Sequence, residues 1–290
     1  MVHIHNPYGD LSGGAWLRGN LHAHTNRTDG TLCIQTVIDS YSKLGYDFLA
    51  ITDHDMLTGP GEYDWLDPHE MVLLPGNEIT ANGSHILHVG GNTCIPPTPE
   101  RQAALDAVGR DAGFAVVNHP NWEAHYNHCP LELLQSWRGY AGLEIFNNVI
   151  GRLDGTAYAT DKWDRVLSTG RTVWGFANDD SHKIEDLGGG WNMVYATNRT
   201  PLGILTALQS GRFYASTGVV IDNIAVTGDI ITITAPNARR IVASGRNGHR
   251  IAVSDGRTIE VEPNADCGYV RFECWGDGES FAWTQPFFVD

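Results

Sequence analysis

Basic residues are scarce in this 290-residue chain: 19 Lys and Arg stand against 34 Asp and Glu, a formal net charge of −15. Duplex nucleic acid and anionic lipid are held through clustered cations, so the composition argues against both as partners. An anionic substrate would have to be drawn by a local source of positive charge, such as bound cations. Cysteine is sparse too. Cys33, Cys94, Cys129, Cys267 and Cys274 form an odd set without a CxxC pair, which argues against a disulfide framework or a thiolate zinc site and fits a reducing compartment. No stretch approaches the roughly 20 apolar residues of a membrane span, and residues 1–19 lack a basic start followed by an apolar run. The expectation is a cytoplasmic protein with no membrane partner. No G-x-S-x-G elbow and no other nucleophilic Ser or Cys arrangement is present.

With 42% hydrophobic and 18% charged residues the chain has the make-up of an ordinary globular protein, and its length suits one barrel with a small appendage. From Gly19 to about Thr217 short apolar runs alternate with helix-like segments, the pattern of repeated βα units. The runs are Phe48 to Ile51, Met71 to Leu74, His85 to Val89, Phe114 to Val117, Leu143 to Phe146 and Thr172 to Phe176. Helices are expected over Ile34 to Leu44, Arg101 to Arg110, Leu131 to Trp137, Ala157 to Leu167 and Pro201 to Gln209, several stopping near a glycine. After about Gly218 helical periodicity disappears. Short strands such as Ile230 to Thr234, Arg240 to Ala243, Ile251 to Val253, Tyr269 to Cys274 and Phe287 to Val289 are separated by turn residues. This predicts two parts, residues 1–218 as an α/β barrel and 219–290 as a small all-β, sandwich-like domain.

Metal-competent residues fall where the barrel-type strands end. Leu21 leads into His22-Ala23-His24, Ile51 into Thr52-Asp53-His54, the Leu74 run into Glu78, Val117 into Asn118-His119-Pro120, and Phe176 into Asp179-Asp180-Ser181-His182. Parallel strands bring their carboxyl ends to one face, so these distant residues would meet. Two histidines two apart on a strand share a face and can grip one ion. A carboxylate at a strand end can bridge two cations with its two oxygens. Taken singly each residue also fits a surface, turn or core role; together, carboxylates gathered without counter-charge would repel one another, and bound cations remove that difficulty.

These residues resemble the PHP family, named for polymerase and histidinol phosphatase. The matching motifs are His22-Ala23-His24 with Asp29-Gly30, Thr52-Asp53-His54, Glu78, His119-Pro120 and Asp180-Ser181-His182, in the family's order over most of residues 17–217. The segments 211–218 and 282–286 look like the CehA/McbA-type branch, which appends a β domain. The resemblance implies a distorted (β/α)7 barrel holding two or three divalent ions, commonly Mn, Fe or Zn. It places His22, His24, Glu78 and Asp180 around one ion, and Glu78, His119 and either His85 or His88 around a second. Asp29, His54 and His182 would hold a third. Glu78, Asp180 and His182 are the residues expected to carry catalysis.

Asp53, Asp55 and Asp179 are expected to orient ligand imidazoles. Glu144 and Asn147 suit either that role or a substrate-facing one, Arg27 is placed to reach a phosphate oxygen, and His125 and His128 either shape the pocket or belong to a surface loop. The resulting expectation is a phosphoesterase for a small phosphomonoester, phosphodiester or nucleotide-type substrate, in which a hydroxide bridging the ions attacks phosphorus. The alternatives are hydrolysis of a neutral carbamate, ester or lactone, favoured by a pocket rich in Trp and lacking Arg, a nuclease confined to short or single strands, and a non-catalytic binding protein. The β domain is expected to serve packing or dimerisation, which allows a homo-oligomer.

Overall fold

The computed structural model describes residues 2–9 and 11–290. Its barrel-type strands are buried on both faces, as their unbroken apolar runs require. Ala15–Asn20, Phe48–Ala50 and Val72–Leu74 pair in parallel at one end of an 11-stranded sheet. Gly76–Ile79, Ile86–Val89, Phe114–Val117, Gly142–Asn147 and Trp174–Asn178 follow one another in a five-stranded sheet. Pro75 separates Val72–Leu74 from Gly76–Ile79. Proline has no N–H to donate to a ladder, which suits it to this junction.

The expected seven-unit barrel is therefore not one closed ladder. The two sheets meet through isolated parallel bridges, Ala23 with Ser181 and His54 with Glu78. Ile86–Val89 also runs antiparallel to both neighbours, because only the tight turn at residues 80–85 joins it to Gly76–Ile79 and no crossover helix intervenes. That reversal matters below: the start of this strand, not its end, lies beside Glu78.

Helices Ile34–Lys43, Arg101–Val108, Leu131–Ser136, Thr160–Leu167 and Pro201–Gln209 occupy the expected segments. Trp163 on Thr160–Leu167 is fully buried and donates its indole N–H to the Val173 carbonyl at 2.8 Å. Beneath the site Phe114, Phe176 and Phe213 pack ring on ring with centroids 4.6–6.0 Å apart. Two glycines make room for this layer: an added Cβ would lie 2.1 Å from the Phe48 ring at Gly19 and 2.2 Å from the Phe176 ring at Gly142.

The C-terminal strands continue the large sheet. Phe213–Ser216 pairs with Trp191–Ala196 on one side and Phe281–Thr284 on the other, and Trp191–Ala196 pairs in turn with Ala15–Asn20. Asn223–Thr227, Ile230–Thr234 and Thr258–Val261 form a separate antiparallel sheet. Among the described residues no helix is long and apolar enough to cross a membrane.

Candidate metal centre

The strand ends deliver their polar residues to one point. His22 and His24 follow Ala15–Asn20, and the His24 amide donates to the Ser181 carbonyl at 2.8 Å, which ties the first ligand turn to the last. Glu78 lies at the centre and is fully buried. Its Oε1 is 3.2 Å from His22 Nε2, 3.2 Å from His85 Nδ1 and 3.4 Å from His119 Nε2. Its Oε2 is 2.8 Å from His54 Nδ1 and 3.6 Å from His24 Nε2. Asp180 Oδ1 stands 3.1 Å from His22 Nε2 and 3.0 Å from His24 Nε2. Asp29 at the rim keeps Oδ2 3.1 Å from His54 Nε2 and 3.3 Å from His182 Nε2.

All nine ligand candidates are thus brought together: His22, His24, Asp29, His54, Glu78, His85, His119, Asp180 and His182. The choice between His85 and His88 follows from strand geometry. Residues three apart on an extended chain point to opposite faces. His85 faces Glu78, whereas His88 bonds the Ala112 carbonyl at 2.9 Å on the far side.

Six polar atoms of the cluster are buried without a hydrogen-bond partner: His22 Nε2, His24 Nδ1 and Nε2, His54 Nδ1, Glu78 Oε2 and His119 Nδ1. Buried polar atoms are nearly always satisfied, and imidazole nitrogens beside carboxylate oxygens are the donor set of borderline and hard divalent cations. The residues fit such ions. Two of them pay in backbone conformation, Asp180 at φ +55° and His119 at φ +25°, where non-glycine residues are rare.

The electrostatics point the same way. Burial pushes the Glu78 carboxyl up, but His22, His85 and His119 around it bring it well below the usual range. Burial disfavours charge on His22, yet Asp180, Glu144 and Glu78 more than reverse this and raise its pKa. Burial likewise lowers His54, while the close carboxylates of Asp29 and Glu78 lift it to about 10. At His24 desolvation wins and the pKa falls.

Of the residues expected to orient the imidazoles, Glu144 does so and the three aspartates do not. Glu144 is buried behind the cluster and accepts His22 Nδ1–H at 2.7 Å, the His119 amide at 2.9 Å, and the side-chain amides of Asn147 and Asn178. Neither Glu144 nor Asn147 faces the cavity. Asp53, Asp55 and Asp179 bond no ligand imidazole. Asp53 takes the amide and hydroxyl of Thr25 at 2.7 Å, Asp55 ties down Thr80 and Ala81, and Asp179 receives the amides of Gly188, Gly189 and Gly190. Arg27 is committed to Glu62 at 2.8 Å and Thr58 at 3.0 Å and does not line the cavity. His125 is exposed.

Three further contributors shape the site. Asn118 donates to Glu78 Oε1 at 2.6 Å. His128 packs against His85 and His119. The cavity, about 180 Å³, has an apolar wall of Trp122, Val149, Ile150 and Leu153 opposite the ligands. Asn118 is adjacent to a ligand in sequence, a usable signal; the others lie in segments without periodicity.

No sequence-family profile and no curated protein matches the chain. Among solved structures it resembles a two-domain protein from Bacteroides vulgatus containing a predicted PHP-like metal-dependent phosphoesterase, with 16% identity and a TM-score of 0.59, covering 97% of this chain and 88% of that one. A protein from Bifidobacterium adolescentis described as a candidate metal-dependent phosphoesterase aligns over 57% of this chain and 87% of its own, with 18% identity and a TM-score of 0.43. An amidohydrolase from Chromobacterium violaceum, solved with sulfate and no metal, aligns over the same shares with 16% identity and a TM-score of 0.40. The first likeness, which spans nearly the whole length, shows a shared fold.

Proposed function

We propose that this chain is a metal-dependent hydrolase of the PHP type that acts on a compact phosphomonoester, phosphodiester or nucleotide-type substrate. The observation that carries the reading is the convergence of nine His, Asp and Glu side chains on one buried point, with several of their donor atoms left without hydrogen bonds. The shared fold with the PHP-like protein supports it. His22, His24, Glu78 and Asp180 would hold one ion, Glu78, His85 and His119 a second, and Asp29, His54 and His182 a third, with Mn, Fe and Zn all suited to the donor set. Such ions supply Lewis acidity toward the reacting oxygens and activate water at neutral pH.

The chain's own groups set the geometry. Glu144, by taking Nδ1–H of His22, leaves Nε2 free toward the cluster. Asn118 clamps one oxygen of Glu78, while Asn147 does the same for Asp180 at 3.2 Å. His182 is fixed through Nδ1 on the Asp180 carbonyl at 2.7 Å and turns Nε2 toward Asp29 at the mouth, where substrate enters. Trp122, Val149, Ile150 and Leu153 shield the reacting centre from bulk water. In this reading residues 1–218 are the hydrolytic part and 219–290 brace it.

One observation favours a second reading, hydrolysis of a neutral carbamate, ester or lactone: among the described residues no Lys or Arg lines the cavity. Four carboxylates, Asp29, Glu78, Glu144 and Asp180, balance two divalent ions, so only a third leaves net positive charge for an anion. Metal-loaded enzyme assayed on p-nitrophenyl phosphate, bis-p-nitrophenyl phosphate and an aryl carbamate separates the readings. Phosphoester turnover is the expected result; cleavage of the carbamate alone, with no phosphoester cleaved, would replace the first reading by the second.

A further inference from the structure

We infer that His128 is a positioning residue that fixes the His85 and His119 side of the cluster and thereby decides whether the second ion is held, an inference that rests on the metal-dependent reading above. His128 is not among the expected ligands and lies nine residues beyond His119; a ring nitrogen comes within 4.8 Å of those of His85 and His119, yet both its nitrogens are engaged elsewhere and its side chain is only 6% exposed. Its Nε2 accepts the backbone N–H of His85 at 2.9 Å. That leaves the ring proton on Nδ1, which faces Glu123 Oε1 at 3.2 Å. Both nitrogens are thus occupied, one tautomer is selected, and the ring is orientated by main chain rather than by a ligand.

The same ring touches two of the three imidazoles beside Glu78 Oε1, those of His85 and His119. It meets His85 edge-on with centroids 4.6 Å apart at 90°, and lies 4.8 Å from His119 at 50°. Trp122 closes the stack at 4.8 Å. The neighbourhood is itself braced. Lys162 is buried and donates to the carbonyls of Pro120 and Tyr126 at 2.7 Å and Cys129 at 2.8 Å, so the segment carrying His119, Trp122 and His128 is anchored at three points. Ser84, immediately before His85, adds a hydroxyl bond to the His128 carbonyl at 2.7 Å. His85 precedes a reversed strand, so nothing in the ladder fixes its amide; His128 provides the acceptor.

The test is ion stoichiometry on the full chain, by elemental analysis after loading with Mn alone and desalting, with a chelator titration beside it. His128→Phe keeps a ring but offers no acceptor, and should lose about one ion per chain and weaken retention of the second ion by roughly ten- to hundred-fold. His128→Asn, too short to reach the His85 amide, should show the same loss and serves where the Phe variant does not fold. His128→Gln, which can place an oxygen near the Nε2 position, should restore wild-type occupancy; a packing role alone predicts no such rescue. The inference is overturned if His128→Phe or His128→Asn, folded as wild type by circular dichroism, keeps every ion with wild-type chelator resistance, or if His128→Gln is as deficient as they are. Wild-type protein that holds no Mn overturns the metal-dependent reading together with this inference.

Discussion

Glu78 contacts five imidazoles with two oxygens, so its charge is the least replaceable in the molecule. Glu78→Gln should lose bound metal and abolish turnover, whereas His249→Ala, at an exposed position in the C-terminal part, should do neither; elemental analysis and a phosphatase assay check both. Metal affinity should climb with pH. His54 in the metal-free chain holds its proton up to about pH 10, and an ion must displace that proton to bind, so occupancy at fixed metal concentration should rise from pH 6 toward 10. Calorimetry near pH 7 in buffers of different ionisation enthalpy should accordingly register proton release. The thiols divide by environment: Cys33 is exposed and its pKa is lowered by hydrogen bonds from the side chain and backbone of Thr36, whereas burial pushes Cys129 up to about 12. Iodoacetamide at pH 7.5 should therefore alkylate Cys33 rapidly and leave Cys129 unmodified until the chain unfolds, read by peptide mass spectrometry. Most candidate ligands were legible in sequence because they follow an apolar run whose end had to reach the shared face; His85, which precedes a reversed strand, and Asp29, in the loop after His24, were legible only through the resemblance. The roles of His128 and Asn118 were not legible, since a surface loop suited His128 equally and what fixes both roles is a partner in space.

Among the elements, the segment from His119 to Cys129 has no regular structure, and its shape depends on a charge from helix Thr160–Leu167. Lys162→Met would leave three carbonyls without their donor in a buried place. Unfolding free energy should drop by about 2–4 kcal/mol, the cost of orphaned buried acceptors, measurable by urea titration. Helices were legible from periodicity, and Pro201–Gln209 matches its expected bounds because Thr200 caps it and Pro201 opens it. Strand direction was not. A run such as Ile86–Val89 carries the same apolar residues whichever way it runs, and reversal was decided by a short turn held by Arg101, which donates to the carbonyls of Thr80, Ala81 and Ser84. The strands Trp191–Ala196 and Phe213–Ser216 were passed over for a related reason: tertiary pairing, rather than a distinctive alternation, makes them strands.

Across the whole molecule, a buried ion pair joins the C-terminal strands to helix Thr160–Leu167. Arg271 grips Asp164 through two bonds of 2.7 Å, and the Tyr269 hydroxyl donates to the same carboxylate at 2.7 Å. Arg271→Met strands that carboxylate and should cost about 3–5 kcal/mol in urea unfolding, whereas pairing it with Asp164→Leu should recover most of the loss, because two apolar groups replace a buried pair at little net expense. The change in character near Gly218 was plain in the sequence; that the large sheet runs straight through it was not, since neighbours 70 residues apart leave no local trace. This continuity has a practical outcome. A chain cut after residue 218 would strip Phe281–Thr284 from Phe213–Ser216 and turn a wholly buried strand into a raw sticky border, ready to recruit another copy of itself. Anyone transplanting residues 1–218 into a fusion would meet inclusion bodies before meeting a folded metal centre, unless the closing strands travel with them.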